Sequence, residues 1–176
     1  MKKLLAVLLI VVCLSAPASA LADRQVSSYT IDPFVFDLPA GWQCDSNQPG
    51  IYFFSENGLL GGGGFYMAQS LHYDGVEFTP DILGDVVDIM ADKLGLDPES
   101  NTAALIGNGE IGRVIGAHAE NSISGKTDYI SCLIYPHGPD VLLVRGSLLD
   151  DSPAGNDLAV LNFARFIHCV DDPDLQ

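Results

Sequence analysis

Basic residues are scarce in this sequence. Eight lysines and arginines stand against 23 aspartates and glutamates in 176 residues, and the formal net charge is −15 at pH 7. A chain with so little positive charge lacks the surface that attracts phosphate backbones or anionic lipid headgroups. We therefore exclude nucleic acid as a partner, and we interpret the acidity as a source of solubility.

Long hydrophobic runs are also missing. The longest, at 4–14, has about 11 residues, whereas a membrane-spanning helix needs about 20. It follows two lysines and precedes Ala18-Ser19-Ala20, which is the layout of a secretory signal peptide. We expect residues 1–20 to be cleaved and the product to be exported, either periplasmic or secreted.

The mature chain would be a single domain at 21–176 with no stable membrane insertion. Six basic residues would remain against 23 acidic ones, a balance of −17. An uncleaved anchor is one alternative. Lipidation of Cys13 is another, although Val12 stands where a lipidation signal places a small residue.

Catalytic and metal-binding motifs are absent as well. There is no HExxH, no closely spaced pair of histidines and no G-x-S-x-G, since the segment at 145–149 lacks the second glycine. Of the four histidines, His137 is expected in a solvated turn and His168 at the end of the last helix; His72 and His118 lie in predicted strands. We predict no catalytic residue and no cofactor, and hence a protein that is not an enzyme.

Three cysteines would survive cleavage, an odd number that allows at most one internal disulfide. Cys132 lies within an apolar strand pattern and is expected to be buried as a small hydrophobic residue. Cys44 follows a turn and Cys169 is expected at the end of a helix, so we predict a Cys44–Cys169 disulfide. Closing such a long loop stabilises a chain by about 4–5 kcal/mol in the chain-entropy description.

A calcium loop is a weaker alternative. Asp97, Glu99 and Asn101 occupy alternate positions, as at the start of such a loop. The sixth position, however, holds Thr102 in place of glycine, and the twelfth holds Asn108 in place of glutamate. These three residues are therefore only weak metal candidates.

The order of hydrophobic patterns predicts an α+β fold. Residues 79–95 have apolar side chains at spacings of three and four, with Thr79 as a possible cap and Gly95 as a stop. The segment at 152–157 opens a second helix, with Leu158, Leu161, Ala164 and Ile167 on one side, widened by Val160, Phe163 and Phe166. Strand patterns occupy 34–37, 50–58, 65–73, 127–138 and 139–149, and the segment at 103–123 contains two short ones, the second at about 110–122. Short connections demand antiparallel pairing, so we expect a single antiparallel β-sheet with two main helices packed on it.

This arrangement resembles the PsbP-like superfamily, which includes the DcrB-like exported bacterial proteins. The resemblance is carried by "FVFDLPAGW" at 34–42, the mid-chain helix, the glycine-rich strand near 109–118, the paired strands at 128–149 and the closing "NDLAVLNFARFIHCV". It implies an α/β sandwich and a non-catalytic role as an assembly or binding partner.

Four consecutive glycines, Gly61 to Gly64, mark the loop of greatest interest. A phosphate-binding loop needs Lys and Ser or Thr after its last glycine and then a helix. Here Phe65 and Tyr66 follow and begin a strand, so we interpret the segment as a flexible connection. We predict a partner surface around it, formed by Trp42, Phe53, Phe54, Gly61, Gly62, Gly63, Gly64, Phe65 and Tyr66.

The function predicted from these residues is that of a soluble, exported binding or assembly domain that acts through contacts with another exported or envelope protein. The alternative is a protein that binds a small molecule or a divalent cation such as calcium.

Overall fold

The computed structural model describes residues 26–56, 58, 64–107, 109–120, 127–147 and 149–170. The predicted signal peptide at 1–20 lies outside these residues. The elements follow in the order β1 (Ser27–Ile31), β2 (Phe34–Leu38), β3 (Trp42–Gln48), β4 (Ile51–Glu56), β5 (Phe65–His72), a 3-10 turn (Pro80–Ile82), α1 (Leu83–Leu94), β6 (Ser100–Leu105), β7 (Ile111–Glu120), β8 (Thr127–His137), β9 (Asp140–Ser147), α2 (Pro153–Ala164) and β10 (Ile167–Cys169).

The strands form two antiparallel sheets, so the prediction of a single sheet was wrong. The smaller sheet has the order β1-β2-β10 and the larger has the order β3-β4-β5-β9-β8-β7-β6. The division falls at the turn between β2 and β3, where Gly41 has a φ of 97° and the Trp42 amide donates to the Pro39 carbonyl. The chain leaves the small sheet there, and β2 pairs with β10 instead of with β3.

One face of the seven-stranded sheet is covered by the small sheet and by α2. Phe36 and Phe54 are sealed from solvent between these layers and stack with ring centroids 4.7 Å apart. Phe163 of α2 stacks on Tyr66 of β5 at 4.0 Å. This aromatic core fixes how the two sheets and α2 pack together, and we refer to it as the closed face.

The opposite face is covered by α1. Val86, Val87 and Met90 are buried against Ile115 and Ile134 of the large sheet. Gly95 ends the helix in the left-handed conformation with a φ of 66°, as the sequence predicts. The start differs from the prediction, because the 3-10 turn comes first and Ile82 rather than Thr79 occupies the N-cap.

A polar cluster holds α2 on the closed face. The Asp157 carboxylate accepts hydrogen bonds from Ser131 at 2.5 Å, Ser100 at 2.6 Å and the Tyr129 hydroxyl at 3.2 Å. Charge-assisted hydrogen bonds of this kind are stronger than neutral ones. They set the position of the helix on strands β6 and β8.

Helix α2 begins as predicted, with the Ser152 hydroxyl accepting from the Gly155 amide at 3.1 Å. It ends at Ala164, however, and the last strand begins at Ile167. Its buried side chains are Asn156, Val160, Phe163 and Ala164, whereas Leu158 is exposed. The predicted side of this helix is therefore buried at Val160, Phe163 and Ala164 but not at Leu158. His168 and Cys169 lie in β10 rather than at a helix end.

Among the residues that the structure describes, no helix has both the length and the apolar character needed to cross a bilayer.

Candidate functional site

The residues predicted as a partner surface divide between the two faces of the large sheet. Phe54 is completely buried and Tyr66 is only 8% exposed, so neither belongs to a surface. Trp42 packs into the same core, with its ring 5.6 Å from Tyr66 and 5.4 Å from Phe163. The physical reason is alternation, because every second side chain of β3, β4 and β5 points to the closed face.

Phe53 and Phe65 point to the opposite face and remain half-buried. Their ring centroids are 6.0 Å apart on the neighbouring strands β4 and β5. Gly64 lies directly before Phe65 and is half-exposed, whereas Gly61, Gly62 and Gly63 lie outside the described residues.

Two hollows adjoin these phenylalanines on the part of the face beyond α1. The larger has a volume of about 260 Å³ and is lined by Phe53 and Phe65 together with Met67, Ile130 and Arg145. The smaller, of about 190 Å³, shares Met67, Ile130 and Arg145 and extends to Leu94 and Leu96 at the end of α1. We call this pair of hollows the open groove.

Arg145 lies at the centre of the open groove. The strand register places it between Met67 of β5 and Cys132 of β8. Its Nε is buried and, within the described part of the chain, has no hydrogen-bond partner. Such a donor costs about 1–3 kcal/mol when it stays without an acceptor, so this arginine offers a ligand an unused hydrogen bond.

Negative groups stand at the edges of the same groove. Asp128 lines the larger hollow and Glu120 lines the smaller one. The groove is therefore apolar along its floor, has one guanidinium near its centre and is acidic at its margins. It can accept apolar side chains together with a single hydrogen-bond acceptor, whereas a second anionic group would be repelled.

The described cysteines do not form the predicted disulfide. Cys44, Cys132 and Cys169 are all thiols. Cys44 lies on β3 of the large sheet, where it pairs with Phe54, whereas Cys169 lies on β10 of the small sheet, 3.3 Å from the Tyr135 hydroxyl. The disulfide prediction assumed that Cys169 lies at the end of a helix, and it fails because Cys169 lies in β10 instead.

Cys132 is buried in β8 as predicted. Burial raises the pKa of its thiol to about 12, although the positive charge of Arg145 acts in the opposite direction. A thiol with such a pKa stays protonated at neutral pH and is a poor nucleophile.

Each histidine lies beside a different carboxylate. Nδ1 of His72 is 2.8 Å from Asp140, and its Nε2 is 3.1 Å from Asp74. His118 bonds to Glu99, His168 lies 3.5 Å from Asp37, and His137 lies 3.7 Å from Glu110. His137 is the last residue of β8 and is largely buried, so its assignment to a solvated turn was wrong.

The weak calcium candidates have other contacts. Glu99 is bonded to His118, and the Asn101 side-chain oxygen accepts from Nε of Arg113 at 2.7 Å. Asp97 is exposed in the connection before β6. Two of the three side chains that could supply an oxygen to calcium therefore already have a nitrogen partner within the chain.

A different group of potential ligands comes together at one end of the sandwich. Atoms of Glu110, His137 and Cys169 all lie within 4.8 Å of one another, the only such group of three among the residues that the structure describes. The sequence contains no signal for it, because three separate segments supply the residues and no pair has a motif spacing. Only the pairing of β10 with β2 brings Cys169 to this place.

Comparisons with known proteins find a similar fold in distant structures. No family model matches the chain, and no curated protein matches it. A protein of Bacteroides thetaiotaomicron VPI-5482 has 10% identity and a TM-score of 0.53 over 84% of this chain and 48% of its own, so this chain spans about half of that protein's length. The Saccharomyces cerevisiae Ran-binding protein Mog1p has 10% identity and a TM-score of 0.50 over 84% and 97% of the two chains.

Cyanobacterial PsbP (CyanoP) from Synechocystis sp. PCC 6803 has 12% identity and a TM-score of 0.48, over 89% of this chain and 99% of its own. The two structures with TM-scores of 0.53 and 0.50 show that the fold of this chain is shared with other proteins. At identities this low the likeness shows the fold alone, and function has to be argued from the site.

Proposed function

We propose that this chain is an exported, non-enzymatic binding domain that holds a protein partner on the open groove. The observation that carries the proposal is the buried Nε of Arg145, which finds no acceptor among the described residues at the centre of an apolar surface. A partner that supplies a carbonyl or carboxylate oxygen would satisfy this donor and cover the half-buried Phe53 and Phe65 at the same time.

The size of the hollows favours a protein partner over a small molecule. Pockets for drug-sized ligands usually measure about 300–1,000 Å³, and the two hollows measure about 260 and 190 Å³. Two small hollows side by side suit separate side chains of one protein segment. Aromatic residues and arginine are also the usual anchors of protein interfaces.

The chemistry of the groove describes the segment that fits it. The segment carries two apolar side chains, one for each hollow, and between them one oxygen that accepts from Arg145. Asp128 and Glu120 at the margins disfavour a strongly acidic segment. A backbone carbonyl or a single carboxylate within an otherwise apolar or basic stretch meets these conditions.

Two further considerations support the proposal. The segment at 1–20 has the layout of a secretory signal, so the partner would be an exported or envelope protein. A protein of similar fold is by name a Ran-binding protein, which is an example of protein binding on this architecture.

The test is photocrosslinking in the native host. A photoreactive phenylalanine analogue is placed at Phe65 in the open groove and, as a control, at Leu158, which is exposed on α2. We expect one protein to be crosslinked from position 65 and not from position 158. Equal crosslinking from both positions would contradict the proposal.

Binding of the purified partner then tests the role of the arginine. Arg145→Met keeps an unbranched side chain out to about the position of Nε and removes the guanidinium donors, and we expect affinity to fall roughly tenfold or more. Arg113→Met is the matched control, because Nε of Arg113 already donates to Asn101, and affinity should not change.

Native mass spectrometry of the isolated chain tests the alternative. If a small molecule is bound to the unsubstituted chain but not to Arg145→Met, and no protein is crosslinked from position 65, the ligand of the groove is a small molecule and not a protein.

A further inference from the structure

We propose that Glu110, His137 and Cys169 form a binding site for a divalent transition metal ion of the Zn²⁺ type. The inference is independent of the open groove and goes beyond the proposed binding function. Each residue offers one donor of a different kind, a carboxylate oxygen, an imidazole nitrogen and a thiolate sulfur, and the three atoms lie within 4.8 Å of one another.

The distances are close to those that zinc requires. Zinc binds oxygen and nitrogen at about 2.0–2.2 Å and sulfur at about 2.3 Å, usually with tetrahedral geometry. Neighbouring ligand atoms around such an ion are therefore roughly 3–4 Å apart. Nδ1 of His137 is already 3.7 Å from Oε2 of Glu110, so modest side-chain movement brings the group to coordination distance.

The donor types select the class of metal. Calcium and magnesium take oxygen ligands almost exclusively, and this group has only one oxygen donor. A thiolate together with an imidazole suits zinc and its neighbours in the transition series. The calcium alternative from the sequence therefore does not apply to this group.

The backbone holds the three segments in place. Cys169 pairs with Phe34 across the small sheet. The loop that leads to Glu110 is tied to β10 because the Gly107 amide donates to the Ile167 carbonyl at 2.8 Å. A Cβ at Gly107 would meet that carbonyl at 2.8 Å, closer than real contacts allow, so glycine permits the loop to approach the strand.

Neighbouring aromatic side chains orient two of the donors. The Tyr135 hydroxyl lies 3.3 Å from Sγ of Cys169, where it can donate to a thiolate. The ring of His137 contacts Phe34 edge to face, with centroids 6.4 Å apart. Outer partners of this kind set ligand orientation and tune metal affinity.

The three ligand residues differ in burial, so that the site is closed on one side and open to solvent on the other. Cys169 is completely buried, whereas the side chains of His137 and Glu110 are 28% and 47% exposed. An ion would enter past the carboxylate and meet the sulfur at the bottom of the niche. Water would complete the coordination from the solvent side, since three protein ligands leave one position open.

Cobalt and zinc titrations of the full, reduced, chelator-treated chain test the proposal. Co²⁺ alone should produce a thiolate-to-cobalt charge-transfer band that saturates at one ion per chain, and Zn²⁺ should displace it. Zn²⁺ should also raise the midpoint of thermal unfolding as its concentration increases, because an ion that binds the folded state stabilises it. Absence of the band in the unsubstituted chain would overturn the proposal.

Matched variants locate the site. Cys169→Ser should abolish the band, whereas Cys132→Ser, at another buried thiol, should retain it. His137→Gln and Glu110→Gln should weaken Zn²⁺ binding on the order of tenfold or more. His118→Gln and Glu99→Gln provide the same changes at an exposed pair elsewhere and should leave binding unchanged.

His137, whose side chain is more exposed than that of Cys169, keeps the test decisive if Cys169→Ser fails to fold. Zn²⁺ binding that is equally strong in His137→Gln, or equally weakened in His118→Gln, would show that the ion binds elsewhere and would overturn the assignment.

Discussion

On the closed face of the seven-stranded sheet, Phe54 and Phe163 are sealed from solvent beneath the small sheet and α2, whereas on the opposite face Phe53 and Phe65 remain half-exposed beyond the end of α1. The polar groups differ in the same way. Asp157 on the closed face accepts three side-chain hydrogen bonds, and Nε of Arg145 in the open groove has no acceptor in the described chain. The closed face of the sheet is thus filled with packed aromatic rings and satisfied polar groups, whereas the part of the other face beyond α1 leaves an apolar groove with one unsatisfied donor.

The largest effect should come from opening the aromatic core. Phe163→Ala removes a ring that stacks on Tyr66 and contacts Trp42, so we expect a loss of about 3–5 kcal/mol in the free energy of unfolding, measured by denaturant titration. Phe65→Ala removes the same ring from the open groove and should cost about 1 kcal/mol or less. Similar losses in the two variants would mean that the faces do not differ.

A methyl group at Gly116 should disturb the polar cluster under α2. A Cβ there would meet the Tyr129 hydroxyl and would lie 2.6 Å from oxygens of Asp157 and Ser100. Gly116→Ala should therefore lower stability by about 1–3 kcal/mol through overpacking and loss of hydrogen bonds. Gly84→Ala, in α1 and with open space around it, should raise stability by up to about 1 kcal/mol. A neutral Gly116→Ala would contradict the packing of this cluster.

Removal of the unused donor should have a smaller effect, of opposite sign. Arg145→Met leaves a shorter, apolar side chain in an apolar groove, so the free energy of unfolding should rise by about 1 kcal/mol or less. Arg113→Met breaks the hydrogen bond to Asn101 and should lower the free energy of unfolding slightly. A clear loss of stability in Arg145→Met would mean that the guanidinium is needed for the fold.

The smallest effect concerns pH at the end of β5. Hydrogen bonds to Asp140 and then to Asp74 raise the pKa of His72 above its ordinary value of 6.5. A raised pKa in the folded state means that the stabilisation is complete below the unfolded value and is lost as pH rises through the folded one. His72→Gln should thus be less stable than the unsubstituted chain near pH 5.5 and equal to it near about pH 8.5.

Titration of the His72 ring by NMR checks the same prediction directly. A midpoint at or below 6.5 would contradict it, as would a stability difference that does not change with pH.

Much of the fold could be predicted from the sequence because several segments have only one way to bury their apolar side chains. The stripe on α1 has acidic residues opposite it, and alternation along β8 and β9 is bounded by a short turn. Helix α2 lacked this asymmetry. Apolar residues occur on more than one side of this helix, so periodicity alone grouped the exposed Leu158 with the buried Val160 and Phe163.

The candidate sites were less predictable for the same physical reason. Strand alternation shows that Phe53 and Phe54 point in opposite directions, but not which of them points to the core. The metal-ligand group was not visible at all, because β10 has only three residues and no glycine marks the end of the helix before it. Its strand pattern was therefore interpreted as a continuation of α2.

By itself, the sequence determined the acidic character of the chain, the α+β class, the helix α1 with its stop at Gly95 and the antiparallel order of the late strands, because these depend on composition and on contacts between near neighbours. The tertiary structure decided the division into two sheets, the inward side of each strand, the isolation of Arg145 and the meeting of Glu110, His137 and Cys169. Each of these requires segments far apart in the chain to come together, and that outcome depends on the packing of the whole domain rather than on the pattern of any one segment.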